Sequence, residues 1–287
     1  MARREARGLS QADLAAKVGS DTTTVSRWET GKNRPKGKET LSKLKAELDI
    51  EQAELDRLFL DWISDERHMK RYTIQGYEFL EANGMDEYDL LDRLIAIDTA
   101  VIPEIKREEE GTTDQWAPIF HASPYTWKLL TTGDEVAGYW HYICLNDEQF
   151  QLAKAGKLQE SSLKDDMLVH LTHSGSERDF KMFISMIAID SKHQEPDRSS
   201  KLLLSFIREF GRLAKAGFFF SEICAVALTP IGLQMCLDFG MQKVGRQEGI
   251  GDDLIEDVFL ITGKDVPRRG FLAKNSLVAN AYRKRFG

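Results

Sequence analysis

The sequence predicts an α+β protein in two parts: a small all-α bundle at the amino end, then a larger mixed α/β domain. Three observations carry this reading. The first fifty residues parse into short, capped helices. From Thr126 the apolar pattern changes from a helical period to the alternation and continuous runs of strands. Those strands then alternate with helices in the order hairpin, strand, helix, strand, helix, strand, which suits a sheet covered by helices. The length of 287 residues fits two domains. With 42% hydrophobic and 30% charged residues the chain is neither collagen-like nor wholly disordered.

In the amino-terminal part, Ser10-Gln11-Ala12-Asp13 reads as a capping box opening a helix with Leu14, Ala15 and Val18 on one side. Gly19 ends it, where left-handed geometry is easiest. Ser20 or Asp21 caps a second short helix, Thr22 to about Thr30, held by Val25 and Trp28 because three consecutive threonines are poor helix formers. Its outer side carries Thr22, Thr23, Ser26 and Arg27. Short hydroxyls and an arginine on one helix face suit the major groove of DNA, and the loop Lys32, Asn33, Arg34, Lys36, Lys38 can neutralise phosphates beside it. A further helix, Thr40 to about Leu48, closes the bundle with Leu41, Leu44 and Leu48.

Gly8-Leu9-Ser10-Gln11-x-x-Leu14-Ala15-x-x-Val18-Gly19 followed by Val25-Ser26-x-Trp28-Glu29-x-Gly31-x-x-x-Pro35 resembles the Xre or lambda-repressor type of helix-turn-helix over residues 1–62. The resemblance implies that Gln11 contacts a phosphate and that Asp21, Thr22, Thr23, Ser26 and Arg27 lie along the recognition face. It implies that Lys32, Asn33 and Arg34 grip the backbone of double-stranded DNA, and that the protein works as a homodimer on an inverted repeat. One departure is a first helix shorter than usual. The same module can also serve protein contact.

Residues 63–84 read as a helical bridge. Leu55, Leu58, Phe59, Trp62 and Ile63 form an apolar stripe leading into it, suited to core packing or to dimerisation. Tyr72–Asn83 and Asp86–Ile97 continue in helical style around a break at Gly84, and 107–111 is a charged loop.

Residues 85–265 form the second domain. Thr126–Thr132 and Val136–Leu145 flank a Gly133-Asp134-Glu135 turn as a hairpin, and Glu148–Ala155 is a helix closed by Gly156. Phe180–Ile189 is a central strand, Ser199–Lys215 a helix, and Glu222–Ala227 a buried strand. Thr229 caps a helix with Pro230 at its first position, running to Phe239, and Asp257–Ile261 closes the sheet. The strand-to-helix junction near Ser199, with Lys192, His193, Arg198 and Lys201, offers a helix start and positive charge to a phosphate.

Val136-Ala-Gly-Tyr-Trp, Met186-Ile-Ala-Ile189-Asp190, and Leu233 through Phe239-Gly240-Met241-x-x-Val244-Gly245 together resemble the GNAT superfamily of acyl-CoA transferases, over roughly residues 85–263. The implied fold is therefore a helix-turn-helix bundle followed by a GNAT-like mixed α/β domain. The resemblance implies that backbone around Ile187 and Ile189 pairs with the pantetheine arm of acetyl-CoA or another acyl-CoA. It also implies that the loop beyond wraps the pyrophosphate, with Gln194, Arg198, Ser199 and Ser200 as contacts. In the best register, Gln194-Glu-Pro-Asp197-Arg-Ser199, both glycines of the family loop are replaced and Asp197 adds a negative charge. Where family enzymes place a tyrosine acid, this chain has Cys236, a weak catalytic substitute or simply core filler. His141, His170, His173, His193, Glu195 and Asp190 all remain open as a general base.

Charge divides along the same line. Residues 1–50 carry 11 basic against 7 acidic groups, a balance of +4, and the remainder carries 28 against 39, a balance of −11. Val266–Gly287 reads as a separate basic tail, with six basic residues and no acid, either folded onto the acidic body or reaching for DNA. Cys144, Cys224 and Cys236 form no CxxC pair, so neither a disulfide framework nor a metal site is expected. No apolar run approaches a membrane span, and the expected compartment is the cytoplasm.

Overall fold

A computed structural model describes residues 2–30, 35, 38–51, 54, 72–106, 111–171, 178–194, 196–247, 249–251 and 253–287, and structural statements below concern these. The chain divides into two compact units, residues 1–68 and 69–287.

The first unit is helical: α1 (Ala2–Ala6), α2 (Gln11–Val18), α3 (Thr22–Glu29) and α4 (Lys38–Leu48). Ser10 and Asp13 make the expected reciprocal cap, and Gly19 ends α2 at φ 71°, ψ 40°. Asp21 is the cap of α3, its carboxylate accepting from the Thr24 amide at 2.8 Å and the Thr24 hydroxyl at 2.7 Å. Leu14, Ala15, Val18, Val25 and Leu44 form the core, with Trp28 and Leu48 packed at its edge. The apolar stripe from Leu55 to Ile63 lies outside the described residues.

The second unit is built on a seven-stranded sheet, among the described residues, of β1 (Thr73–Gln75), β2 (Trp127–Thr132), β3 (Glu135–Cys144), β4 (Arg178–Ile189), β5 (Phe218–Ala227), β6 (Gln242–Arg246) and β7 (Asp257–Thr262). Their spatial order is β1-β2-β3-β4-β5-β7-β6. All neighbours are antiparallel except β4 and β5. One face is covered by α5 (Glu78–Asn83), α6 (Glu87–Val101), α7 (Thr113–Ala122) and α8 (Asp147–Lys154) around a cluster containing Leu91, Leu94, Trp116, Phe120 and Phe150. The other face carries α9 (Pro196–Lys215) and α10 (Pro230–Asp238) over Trp140, Phe206, Phe210 and Phe220.

Three parts differ from the sequence expectation. Tyr72–Asn83 is not helical throughout: Thr73, Ile74 and Gln75 pair with Thr131, Leu130 and Leu129 as an edge strand, which suits a β-branched pair beside the edge of β2 that faces away from β3. The segment expected as a bridge thus contributes a strand to the sheet. Residues 266–287 are not a free tail. They form α11 (Gly270–Lys274) and α12 (Ser276–Phe286), which bury Leu272, Val278, Ala279 and Tyr282. Arg283 and Lys284 stay exposed, so the basic residues are the outer face of a packed helix. Finally β7 does not close the sheet, because β6 lies outside it.

Candidate functional site

In the first unit, α3 presents Asp21, Thr22, Thr23 and Arg27 as exposed residues, with Ser26 half-buried, while Val25 faces the core. Helical spacing therefore gathers the predicted recognition residues on the solvent side. Arg3, Arg4, Arg7, Lys17 and Lys43 are each paired with a carboxylate. Arg27 has no ion-pair partner among the described residues, leaving its guanidinium available to a base edge. Lys32, Asn33 and Arg34 lie outside the described residues.

Sequence reading missed an internal clamp. Arg4 of the short α1 reaches Glu29 at the end of α3, Nε to Oε1 at 2.8 Å and Nη2 to Oε2 at 3.2 Å. Gln11 Nε2 donates to the same carboxylate at 2.7 Å. The Arg4 guanidinium, against the cost of burial, holds Glu29 down at about 2. One carboxylate thus ties α1, the start of α2 and the end of α3 together. Its charge is neutralised inside the bundle and adds little repulsion toward phosphates. Gln11, expected at a phosphate, spends an amide hydrogen on Glu29.

In the second unit the site is a parting of two strands. The β4–β5 ladder runs from Arg178↔Phe218 to Ile184↔Ala225 and stops. β4 nevertheless stays paired with β3 to Ile189↔Gly138, and β5 with β7 to Ala227↔Asp257. A bulge makes the parting: His141 pairs with Met186 and Tyr142 with Ile184, leaving Ser185 as the extra residue. Asp190 N donates to Ala137 O at 3.0 Å, so the antiparallel alternation turns the amides and carbonyls of Ile187 and Ile189 away from β3.

Beyond Ile189 the loop is occupied by its own bonds. The Lys192 amide donates to Asp190 Oδ1 at 3.1 Å, the His193 amide to Asp190 O at 2.7 Å, and the Gln194 amide to Ser191 O at 3.4 Å. Gln194 Nε2 donates to Ile189 O at 3.1 Å. His193 is buried, with Nδ1 3.1 Å from the Tyr72 hydroxyl and Nε2 at ion-pair distance, 3.1 Å, from Glu135. A pyrophosphate wrapped by the amides of residues 192–194 would have to displace these bonds. The first turn of α9 is what remains to cradle an anion. The side chains of Arg198 and Ser199 lie outside the described residues, and Ser200 is buried.

Cys236 is 7% exposed in the apolar cluster, and burial pushes its thiol up to about 12, so it stays protonated. Among the six possible bases, Asp190 caps the loop and His170 bonds Ser123 and Asp165. His173 and Glu195 lie outside the described residues.

His141 is different. It is 2% exposed, and it lines a cavity of about 80 Å³ beside the bulge with Asp98, Glu160, Ser185, Trp116 and Phe120. Burial pushes its imidazole down to about 3, so it is neutral at ordinary pH. Asp98 accepts from the Tyr139 hydroxyl at 2.6 Å, and Glu160 from the Ser185 hydroxyl at 3.1 Å. This cluster went unread because α7, which supplies Trp116 and Phe120, contains Pro118. The signal available was Thr112 as cap with aromatic residues at helical spacing after it.

Residues 1–55 match the family model HTH_3, described as helix-turn-helix. No curated protein matches the chain. Among solved structures, similarity is found to the GphF GNAT-like decarboxylase in complex with isobutyryl-CoA, at 13% identity over 66% of this chain and 98% of that one, TM-score 0.44. It is also found to an acetyltransferase from Streptococcus agalactiae 2603, at 12% identity over 68% and 99%, TM-score 0.41. A third is Arabidopsis thaliana Naa50 in complex with a bisubstrate analogue, at 11% identity over 66% and 96%, TM-score 0.39. The chain thus matches a helix-turn-helix family model over residues 1–55 and carries, among the described residues beyond it, a mixed seven-stranded sheet.

Proposed function

We propose that this chain is a sequence-specific DNA-binding transcriptional regulator, a cytoplasmic homodimer on an inverted repeat, whose GNAT-like domain senses a ligand or mediates assembly. The observation that carries this is the solvent face of α3, where Thr22, Thr23, Ser26 and an Arg27 with no ion pair among the described residues stand together beyond a clamped helix pair. The internally bonded loop after β4 supports a domain that has left acyl transfer for another use. Gel-shift and footprinting on the DNA upstream of its own gene test the reading at low and moderate salt. Failure to bind any inverted repeat there sinks it.

A second reading, an acetyl-CoA-dependent N-acyltransferase with an accessory DNA-binding domain, is favoured by the strand parting that faces Ile187 and Ile189 into the gap. Under it, millimolar acetyl-CoA raises the melting temperature and CoA is released with some amine. Absence of both removes it.

A further inference from the structure

Three polar side chains of the second unit meet in a line, and none of them borders the cavity beside Ser185. Ser123 caps the end of α7, and its hydroxyl oxygen lies 2.8 Å from His170 Nδ1. Across the same ring, Nε2 lies 3.0 Å from Asp165 Oδ1. A carboxylate can only accept a hydrogen bond, so Nε2 carries the ring proton and Nδ1 is the acceptor facing the Ser123 hydroxyl. Both segments are tied to β3. Thr126 N donates to Ser123 O at 3.1 Å and Tyr142 N to Thr126 O at 3.0 Å, while Val169 N donates to Cys144 O at 2.8 Å. A nucleophile, a base and a group that orients the base are therefore held in sequence. The turn Ser123–Thr126 adds a donor. A serine hydroxyl opening such a turn ordinarily reaches the amide two residues on. Here the hydroxyl is bonded to His170, and the Tyr125 amide makes no backbone hydrogen bond among the described residues. Ser123 and His170 are half-buried, whereas Tyr125 is 63% exposed and offers an aromatic face to solvent.

We propose that Ser123, His170 and Asp165 form a hydrolytic site for small carboxylic esters of aromatic alcohols. The Ser123 oxygen bonds to the carbonyl carbon while its proton passes to His170 Nδ1. The carbonyl oxygen, negative at that stage, accepts from the Tyr125 amide. The bond to the aryloxy group then breaks, and the departing phenol takes the proton from Nδ1, leaving acyl-Ser123. Water next gives its proton to Nδ1 and its hydroxide to the acyl carbon, and the serine oxygen leaves with that proton. One ester and one water become one acid and one phenol, with no co-reactant. A single amide at the oxyanion confines the step to good leaving groups, which is why the class is aryl esters, and the Tyr125 ring packs on the aryl part. The site uses neither DNA nor an acyl-CoA and stands apart from both readings above.

The test uses the full-length protein with p-nitrophenyl acetate and, separately, with an alkyl fluorophosphonate. The expected result is a burst of about one p-nitrophenol per chain. Mass spectrometry should find the acetyl group on Ser123, and the phosphonate on the same residue. Ser123→Ala should abolish the burst and both labels. His170→Gln should slow the burst by at least about 100-fold, the low end of acid–base catalysis. Asp165→Asn should slow it by less, because the Asp165 side chain is 56% exposed and water can take its place. Melting curves of each variant separate lost chemistry from lost folding, and should His170→Gln fail to fold, Ser123→Ala and Asp165→Asn carry the test. No burst, labels only on other residues, or a burst that survives Ser123→Ala overturns the site. A burst lost in Ser123→Ala yet unchanged in both His170→Gln and Asp165→Asn overturns the roles of base and orienting group.

Discussion

Glu29 shows how much one carboxylate can organise. Removing its charge as Glu29→Gln leaves the Arg4 guanidinium inside the bundle facing a neutral amide, and it weakens the bond that holds Gln11. The helix-turn-helix unit should then melt at lower temperature, and affinity for every DNA sequence should fall together. A mere loss of specificity would contradict this account. The acid limb gives a second check. Glu29 is held near 2 against an ordinary 4.5, so its stabilisation is fully present above about 4.5 and lost as pH falls toward 2. Glu29→Gln should flatten that part of the acid-melting profile. Arg27 is the opposite case, an exposed side chain with no ion pair among the described residues. Arg27→Ala should leave folding unchanged and cost about 1–3 kcal/mol of discrimination at one base pair, read by competition between operator variants. Lys32→Ala or Arg34→Ala should instead weaken binding to all sequences. His141 follows the same sign as Glu29 by a different cause. Its buried imidazole is held near 3 against 6.5, so the His141 contribution to stability of the second unit is fully present above about 6.5 and is lost as pH drops toward 3.

At the scale of elements, the chain was most readable where local chemistry decides. Capping residues predicted α2, α3 and α10 with their ends, since Ser10, Asp21 and Thr229 each accept from the third amide beyond. The hairpin of β2 and β3 followed from alternation around Gly133. What escaped was decided by distant partners. β1 is three residues long and is a strand because β2 offers an edge. Helix α7 hid behind Pro118. The cavity cluster is drawn from residues between Asp98 and Ser185, a separation that no spacing rule spans. The basic end is the clearest case, because charge suggested a tail while burial decides its place. Tyr282 lies inside and its hydroxyl accepts from the Phe220 amide at 3.1 Å. Tyr282→Phe leaves that buried amide unmet and should cost about 1–3 kcal/mol. A chain ending at residue 265 should lose the cooperative melting of the second unit, since Val278 and Tyr282 belong to its core cluster. A cooperative transition surviving that truncation would restore the tail reading.

At the scale of the whole molecule, the two units have separate cores: Leu14, Val18, Val25 and Leu44 in one, the two faces of the sheet in the other. Separate cores allow separate melting, and the sizes make the transitions distinguishable. At roughly 0.7 kcal/mol per residue near 60 °C, residues 1–68 should unfold with about 50 kcal/mol and residues 69–287 with about 150 kcal/mol. A ligand that binds only a folded unit raises only that unit's transition, by an amount set by its concentration over its dissociation constant. Calorimetry of the full chain should therefore show the upstream duplex moving the smaller transition and leaving the larger one in place. The charge balance of +4 over residues 1–50 against −11 elsewhere supports the first assignment, because added salt should shrink the duplex effect steeply. A duplex effect on the larger transition, or one that added salt leaves unchanged, would show that DNA binding does not divide along these units.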